Sequence, residues 1–235
     1  MLAADPLVSL VVPAYNEERT ITEVLRRAAA TPLRTEIVVV DDGSTDGTAD
    51  AVAALDAEIA GLRFVRAEHR GKGAAVRRGI PLTTGDIVVI QDADLEYDPA
   101  DLPRLIEPLL RGVADVVYGT RLRGGEPQRA HLFWHYAGNR MLSLLTGLLY
   151  NTTLSDMEVG YKAFRGDLLR SIRLVSDDFR FEPEVTAKVL RIPGIRVYEI
   201  PISYYGRTFD EGKKITWRDG VKAVAALLRF RFGPR

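Results

Sequence analysis

The stretch Gly85-Asp86-Ile87-Val88-Val89-Ile90-Gln91-Asp92-Ala93-Asp94 decides how this chain folds. Its middle is a short run of β-branched apolar residues. Such a run reads as a strand buried on both faces. The strand delivers two carboxylates, Asp92 and Asp94, to the carboxyl edge of a sheet. Hard divalent cations take oxygen ligands, and Mg²⁺ commonly joins one or two carboxylates to a substrate phosphate. An isolated Asp-x-Asp is also an ordinary solvated turn. Its meaning therefore depends on what else reaches the same edge.

Outward from this strand, short apolar runs alternate with amphipathic stretches. Strands are expected at 7–13, 36–41, 62–67, 86–91 and 114–119. Helices are expected at 20–30, 48–59, 73–78 and 100–110. This β-α rhythm predicts an α/β fold: a Rossmann-like, mostly parallel, twisted sheet flanked by helices, with ligands outside the carboxyl ends of the strands. After Arg121 the rhythm changes. Arg123 to Pro127 reads as a loop, 133–150 as an apolar helix and 155–164 as short and mixed. A helix at 181–190 and a strand at 197–202 follow. No repeat or linker interrupts the chain. One domain is expected over 1–235, with an alternating first half (7–120), a mixed, substrate-specific second half (121–215) and a basic amphipathic helix (216–235).

Composition narrows the function. Lys+Arg and Asp+Glu are both 32, so the formal net charge is zero and nothing favours nucleic acid as a partner. There is no cysteine, so thiolate metal sites are excluded, and the chain has only three histidines, His69, His131 and His135. Met1 to Pro6 lacks a signal-peptide pattern, and no apolar stretch reaches the roughly 20 residues that span a bilayer. The expectation is a cytoplasmic protein, with peripheral contact at the cytoplasmic face of a membrane as an option.

Three strand ends carry polar groups that could share one pocket: Pro13-Ala14-Tyr15-Asn16-Glu17, Asp41-Asp42-Gly43-Ser44 and Asp92-Ala93-Asp94. Tyr15 offers a face for a base or sugar, and Asp42 an acceptor for a ribose hydroxyl or base N–H. Asp42-Gly43-Ser44 followed by Asp46-Gly47-Thr48 would equally satisfy a turn and a helix start with no ligand. Arg70-Gly71-Lys72-Gly73 places a cation and flexible backbone ahead of a helix, where anions bind. It is neither a P-loop nor a dinucleotide fingerprint, because Val76 stands where a third glycine is needed.

Taken in order, these stretches resemble family 2 glycosyltransferases of the GT-A fold, and among them the dolichyl- and polyprenyl-phosphate sugar synthases. Further matching stretches are Tyr118-Gly119-Thr120-Arg121, Asp156 to Lys162 and Phe181-Glu182-Pro183-Glu184. The resemblance runs from about Val8 to Lys214. It implies that Pro13, Tyr15, Glu17, Asp42, Lys72 and Asp92 bind the nucleotide sugar. It also implies that Asp92 and Asp94, with Glu96 as a third ligand, hold Mg²⁺ or Mn²⁺. The implied reaction is inverting transfer of a hexose from a UDP- or GDP-sugar to a polyprenyl or dolichyl phosphate.

A phosphate acceptor needs positioning by cations more than deprotonation. Arg121 and Arg207 match the family's basic contacts, although either could be a surface salt bridge. A hydroxyl acceptor would need a base, for which Asp156 and Glu158 are the candidates; both could equally be caps. The alternative activity is a soluble glycosyltransferase acting on a small hydroxyl compound. A sugar-nucleotide pyrophosphorylase is disfavoured by the missing Gly-rich N-terminal loop. A non-catalytic binding module is disfavoured by the intact Asp92/Asp94 pair.

The apolar segment 133–150 is expected as a core helix, with two other readings open: an interfacial helix receiving a lipid acceptor, or a homodimer face. In the tail, Val221, Val224, Ala225, Leu228 and Phe232 recur at helical spacing among Lys222, Arg229 and Arg231. This pattern suits an anionic membrane surface. Many family members continue into transmembrane helices beyond this point, where this sequence stops.

Overall fold

Ile87–Ile90 forms strand β4, and each of its four side chains is buried. That burial requires cover on both faces, which the neighbouring helices provide. In this computed structural model residues 5–125, 129, 133–207 and 217–233 are described. Glu126-Pro127, His131, Leu132 and the Gly212–Ile215 stretch, which carried sequence expectations, lie outside them.

The first half of the chain follows the predicted alternation. Strands β1 (Val8–Ala14), β2 (Thr35–Asp41) and β3 (Leu62–Arg66) alternate with helices α1 (Ile21–Ala29), α2 (Thr48–Ala53) and α3 (Lys72–Gly79) before β4. Helix α1 shows why such segments are helical. Ile21, Val24, Leu25 and Ala28 fall at i, i+3, i+4 and i+7 and all point inward. Helix α2 stops six residues short of the expected Ile59 and gives way to turns, which still bury Leu55 and Ile59.

Helix α4 (Leu102–Leu110) leads to strand β5 (Val116–Thr120). Then come α5 (Phe133–Tyr150), β6 (Lys162–Arg165), α6 (Gly166–Ser171), α7 (Phe181–Leu190), β7 (Val197–Pro201) and α8 (Trp217–Phe232). The seven strands make one sheet in the order β3-β2-β1-β4-β6-β5-β7, continuous across residue 120. Strand β1 pairs in parallel with β2 on one side and β4 on the other, with Ala14 level with Asp41 and Val11 level with Ile90. The crossover direction switches between β1 and β4, which opens a crevice at their carboxyl ends.

Two elements differ from the sequence expectation. The mixed stretch 155–164 ends in β6, which runs antiparallel to both β4 and β5. Its sequence, Lys-Ala-Phe-Arg, begins and ends on charge and carries no apolar run to announce a strand. The segment 133–150 is helical over the expected range, but it is not a core helix. Leu142, Ser143, Thr146 and Tyr150 face inward, whereas Trp134 is 81% and Leu148 76% exposed, with Phe133, Met141 and Leu144 exposed beside them. The inward face of α5 joins α7 and α8 in a second apolar cluster around Met157, Leu227 and Phe230. There the Tyr150 hydroxyl donates to the Leu227 carbonyl at 2.7 Å.

Candidate active site

The switch point between β1 and β4 gathers charge from several segments of the chain. Asp42 leaves β2 and accepts from the backbone N–H of Arg70 (3.0 Å) and of Gly71 (2.7 Å). Its carboxylate also meets His69 Nδ1 at 2.8 Å. The His69 ring stacks on Tyr15 with centroids 4.0 Å apart. Asp42 thus organises the loop that starts α3. Gly71 is needed in that loop: its φ is +118°, and a Cβ would stand 2.7 Å from the Asp177 carbonyl. The competing helix-start chemistry is present too, but Asp46 performs it, accepting from Thr48 N at 3.0 Å.

The loop aims Lys72 at the acidic edge. Its ammonium lies 2.7 Å from Asp92 Oδ1 and 3.1 Å from Glu182 Oε1. Burial opposes the Lys72 charge, but Asp92 and Glu182 more than offset it and hold its pKa above the ordinary lysine value. On its other side Asp92 presses against Gly160, where a Cβ would stand 2.2 Å from Oδ2. Pro13, expected to bind the nucleoside, lies in β1 level with Val40.

Asp94 faces a different cation. Arg207 Nη2 donates to Asp94 Oδ2 at 2.7 Å, and the same guanidinium donates to both oxygens of Glu17 at 3.0 and 3.2 Å. Glu96 accepts from the Arg207 backbone N–H at 2.8 Å and from the Tyr204 hydroxyl at 3.0 Å. One guanidinium therefore answers three carboxylates. Burial raises the Asp94 pKa, Asp92 and Glu96 add to the shift, and Arg207 opposes it.

Arg121 and Asp156 form a self-sufficient pair. Arg121 Nε and Nη2 each donate at 2.7 Å to the two Asp156 oxygens, and the Arg121 backbone N–H adds a third bond at 3.0 Å. Asn139 of α5 donates to the same carboxylate at 3.2 Å. Burial works against ionisation of Asp156, yet Arg121 holds its pKa below the usual carboxylate range. Such an environment suits a fixed counter-ion better than a proton acceptor. Glu158 differs: burial pushes its carboxyl up to about 7, with Glu182 adding, and its Oε1 has no hydrogen-bond partner among the described residues. The Tyr204 ring lies under the Arg121 guanidinium, 5.0 Å away. Tyr204 therefore links this pair to Glu96.

The donor set fits a divalent cation. Glu17, Asp92, Asp94 and Glu96 are hard oxygen donors beside two cations, Lys72 and Arg207, and the surplus of negative charge is felt at Asp94. Among the described residues no three acidic or histidine side chains converge as a ready-made metal cage. Glu96, expected as a third ligand, is turned toward Arg207 and Tyr204. This leaves one or two carboxylates for the metal, the number Mg²⁺ usually takes when phosphate and water complete its shell.

Sequence reasoning missed several members of the cluster. Tyr204, Asn139 and His69 carry no motif of their own. Lys162 is fully buried, pairs with Glu182 and donates to the Val159 carbonyl. The pair was in view within the matching stretches, without a role.

The family model described as Glycosyl transferase family 2 matches residues 9–173, which contain β1 through β6 and the carboxylate edge. The chain belongs to glycosyltransferase family 2. Among curated relatives, this family 2 chain is 34% identical over 221 residues to an undecaprenyl-phosphate mannosyltransferase of Micrococcus luteus, covering 88% of this chain and 86% of the relative. It is 31% identical over 212 residues to a dodecaprenyl-phosphate galacturonate synthase of Rhizobium johnstonii, covering 88% of this chain and 61% of that relative. It thus spans nearly all of one relative and about three fifths of the other. In fold, the glycosyltransferase resembles glucosyl-3-phosphoglycerate synthase from Mycobacterium tuberculosis, solved with Mn²⁺, UDP and phosphoglyceric acid. The TM-score is 0.76 at 24% identity, covering 99% of this chain and 81% of that one. The sheet is accordingly of the GT-A type.

Proposed function

We propose that this family 2 glycosyltransferase moves a hexose from a UDP- or GDP-sugar to a polyprenyl or dolichyl phosphate, with Mg²⁺ or Mn²⁺ bound at Asp92 and Asp94. The observation that carries the acceptor is helix α5. Its inner face gives Asn139 to the Arg121–Asp156 pair, while its outer face exposes Trp134, Met141, Leu144 and Leu148. An anion-binding arginine beside an exposed apolar helix suits a phosphate carried on a hydrocarbon chain. The curated relatives, which act on dodecaprenyl and undecaprenyl phosphates, support the same reading.

Each group then has a task. Tyr15 and Asp42 receive the base and ribose, with His69 alongside. Lys72 and Asp92 meet the donor diphosphate. A divalent cation bound there supplies Lewis-acid stabilisation of the departing diphosphate. Arg121, fixed by Asp156, holds the acceptor phosphate in line with the anomeric carbon, and Arg207 adds a second positive charge near the reacting centre. The acceptor phosphate is already anionic at pH 7, so no protein base need act on it.

The outer face of α5 has no acidic residue, and α8 adds Val221, Leu228 and Phe232 with Lys222, Arg229 and Arg231. Peripheral contact with an anionic membrane follows from that chemistry. No helix among the described residues is long and apolar enough to cross a membrane.

Transfer from labelled UDP-glucose, UDP-galactose and GDP-mannose to undecaprenyl and dolichyl phosphate in detergent, with Mg²⁺ and with Mn²⁺, tests the reading. The expected result is a metal-dependent glycolipid from one donor. Donor turnover only with soluble hydroxyl compounds would replace the lipid acceptor, and Glu158, whose carboxyl near 7 suits a general base, would then be the base to examine.

A further inference from the structure

Four charged side chains form a line behind the strand edge, from the partly buried Asp92 and Lys72 to the buried Glu182 and Lys162. Asp92 meets Lys72 at 2.7 Å, Lys72 meets Glu182 Oε1 at 3.1 Å, and Glu182 Oε2 pairs with Lys162. Glu182 is 3% exposed and sits in the first turn of α7, between the buried Phe181 and Pro183. Its Oε1 makes no hydrogen bond among the described residues, and the partner it faces is the Lys72 ammonium. We propose that Glu182 is a positioning residue for the donor diphosphate, acting through Lys72. This rests on the reading above, in which Lys72 and Asp92 meet that diphosphate.

The argument is geometric. A lysine is a compact charge on a flexible four-carbon stem. A single partner at a strand edge would leave Lys72 free to swing toward solvent. Two carboxylates from different elements, β4's edge and α7, hold the ammonium in one place. Glu182 spends only one oxygen on this, because Lys162 takes the other. The signs alternate along the line, so no member carries an unanswered charge into the interior.

A purely structural role for Glu182 would be to neutralise Lys162, which is fully buried. The two roles separate in a double variant. Glu182→Gln removes the charge that holds Lys72 and leaves Lys162 unpaired. Lys162→Met removes the buried lysine and leaves Glu182 on Lys72. Adding Lys162→Met to Glu182→Gln relieves the unpaired lysine without restoring the hold on Lys72.

The full chain is titrated calorimetrically with UDP and with GDP in the presence of Mn²⁺, donor KM and kcat are measured, and thermal midpoints are recorded. Glu182→Gln is expected to weaken binding of the preferred nucleotide by about tenfold and raise donor KM in proportion, with kcat changed less than about threefold. Lys162→Met is expected to lower the midpoint and leave donor KM within about twofold. The double variant is expected to recover midpoint while keeping the raised KM. A double variant with wild-type nucleotide affinity would overturn the positioning role and leave the donor reading intact. Wild-type protein that binds neither nucleotide would remove the donor reading and this inference with it.

Discussion

The two partly buried arginines of the site are built on opposite principles. Arg121 has one carboxylate partner, bidentate at 2.7 Å on both oxygens, and its pair closes on itself. Arg207 has three, Glu17, Asp94 and Glu96, and cannot balance them. A closed pair fixes geometry; an unbalanced cluster retains appetite for more positive charge. The first behaves as scaffold for an anion site, and the second as a seat a divalent cation can contest.

The sharpest way to break this contrast is to remove Asp94. Asp94→Ala is expected to cut transfer by about a thousandfold, roughly 4 kcal/mol, because it removes a proposed metal ligand rather than a structural ion pair. Radiolabel transfer under saturating Mn²⁺ measures it, and an effect below tenfold would return Asp94 to the scaffold. Asp156→Asn tests the other arm. It leaves Arg121 buried without its counter-ion and is expected to cost about 3 kcal/mol in urea denaturation.

Glu158 sharpens the comparison next, since it lies in the field of Arg121 and Asp156 yet holds its proton to about pH 7. An unfolded glutamate ionises near pH 4.3. Below that value Glu158 has no effect on stability; the cost grows as pH rises and is complete above about 7. Glu158→Gln should therefore be neutral at pH 4 and more stable than wild type by roughly 3 kcal/mol at pH 8, read from paired denaturation curves. The smallest effect is expected at Arg207. Arg207→Met frees three carboxylates and should tighten Mn²⁺ binding about tenfold by electron paramagnetic resonance titration, even as transfer falls. Unchanged Mn²⁺ affinity would show that cation and guanidinium do not compete.

The sequence carried the parallel half of the fold well, because β1, β2 and β4 are branched aliphatic runs whose burial leaves no other reading. It set Asp42 and Asp92 at strand ends for the same reason: each follows such a run. What stayed hidden depends on contacts between distant segments. β6 begins and ends on charge, and only its place between β4 and β5 makes it a strand. The outward face of α5 resembles a core helix in composition, since leucine is equally apolar in either setting. Lys162 and Glu182 contradict burial preferences individually, and their pairing is visible only once the first turn of α7 meets β6. Tyr204, which joins Arg121 to Glu96, comes from a stretch near the end of the chain with no pattern at all.

The reversed direction of β6 has a consequence for how this architecture can change. β5 ends and β6 begins at the same edge of the sheet, so the whole excursion from Arg121 to Tyr161 departs from and returns to the rim where Asp92 lies. Strand register is set by the two endpoints of this excursion, while α5, Asp156 and Gly160 within it stay tied to α7, α8, Arg121 and Asp92; its exposed residues are the ones that can vary at little cost. On the proposed reading, the acceptor side joins the donor frame at that rim, and varying the exposed residues of 121–161 is the route to a new acceptor with the sheet unchanged.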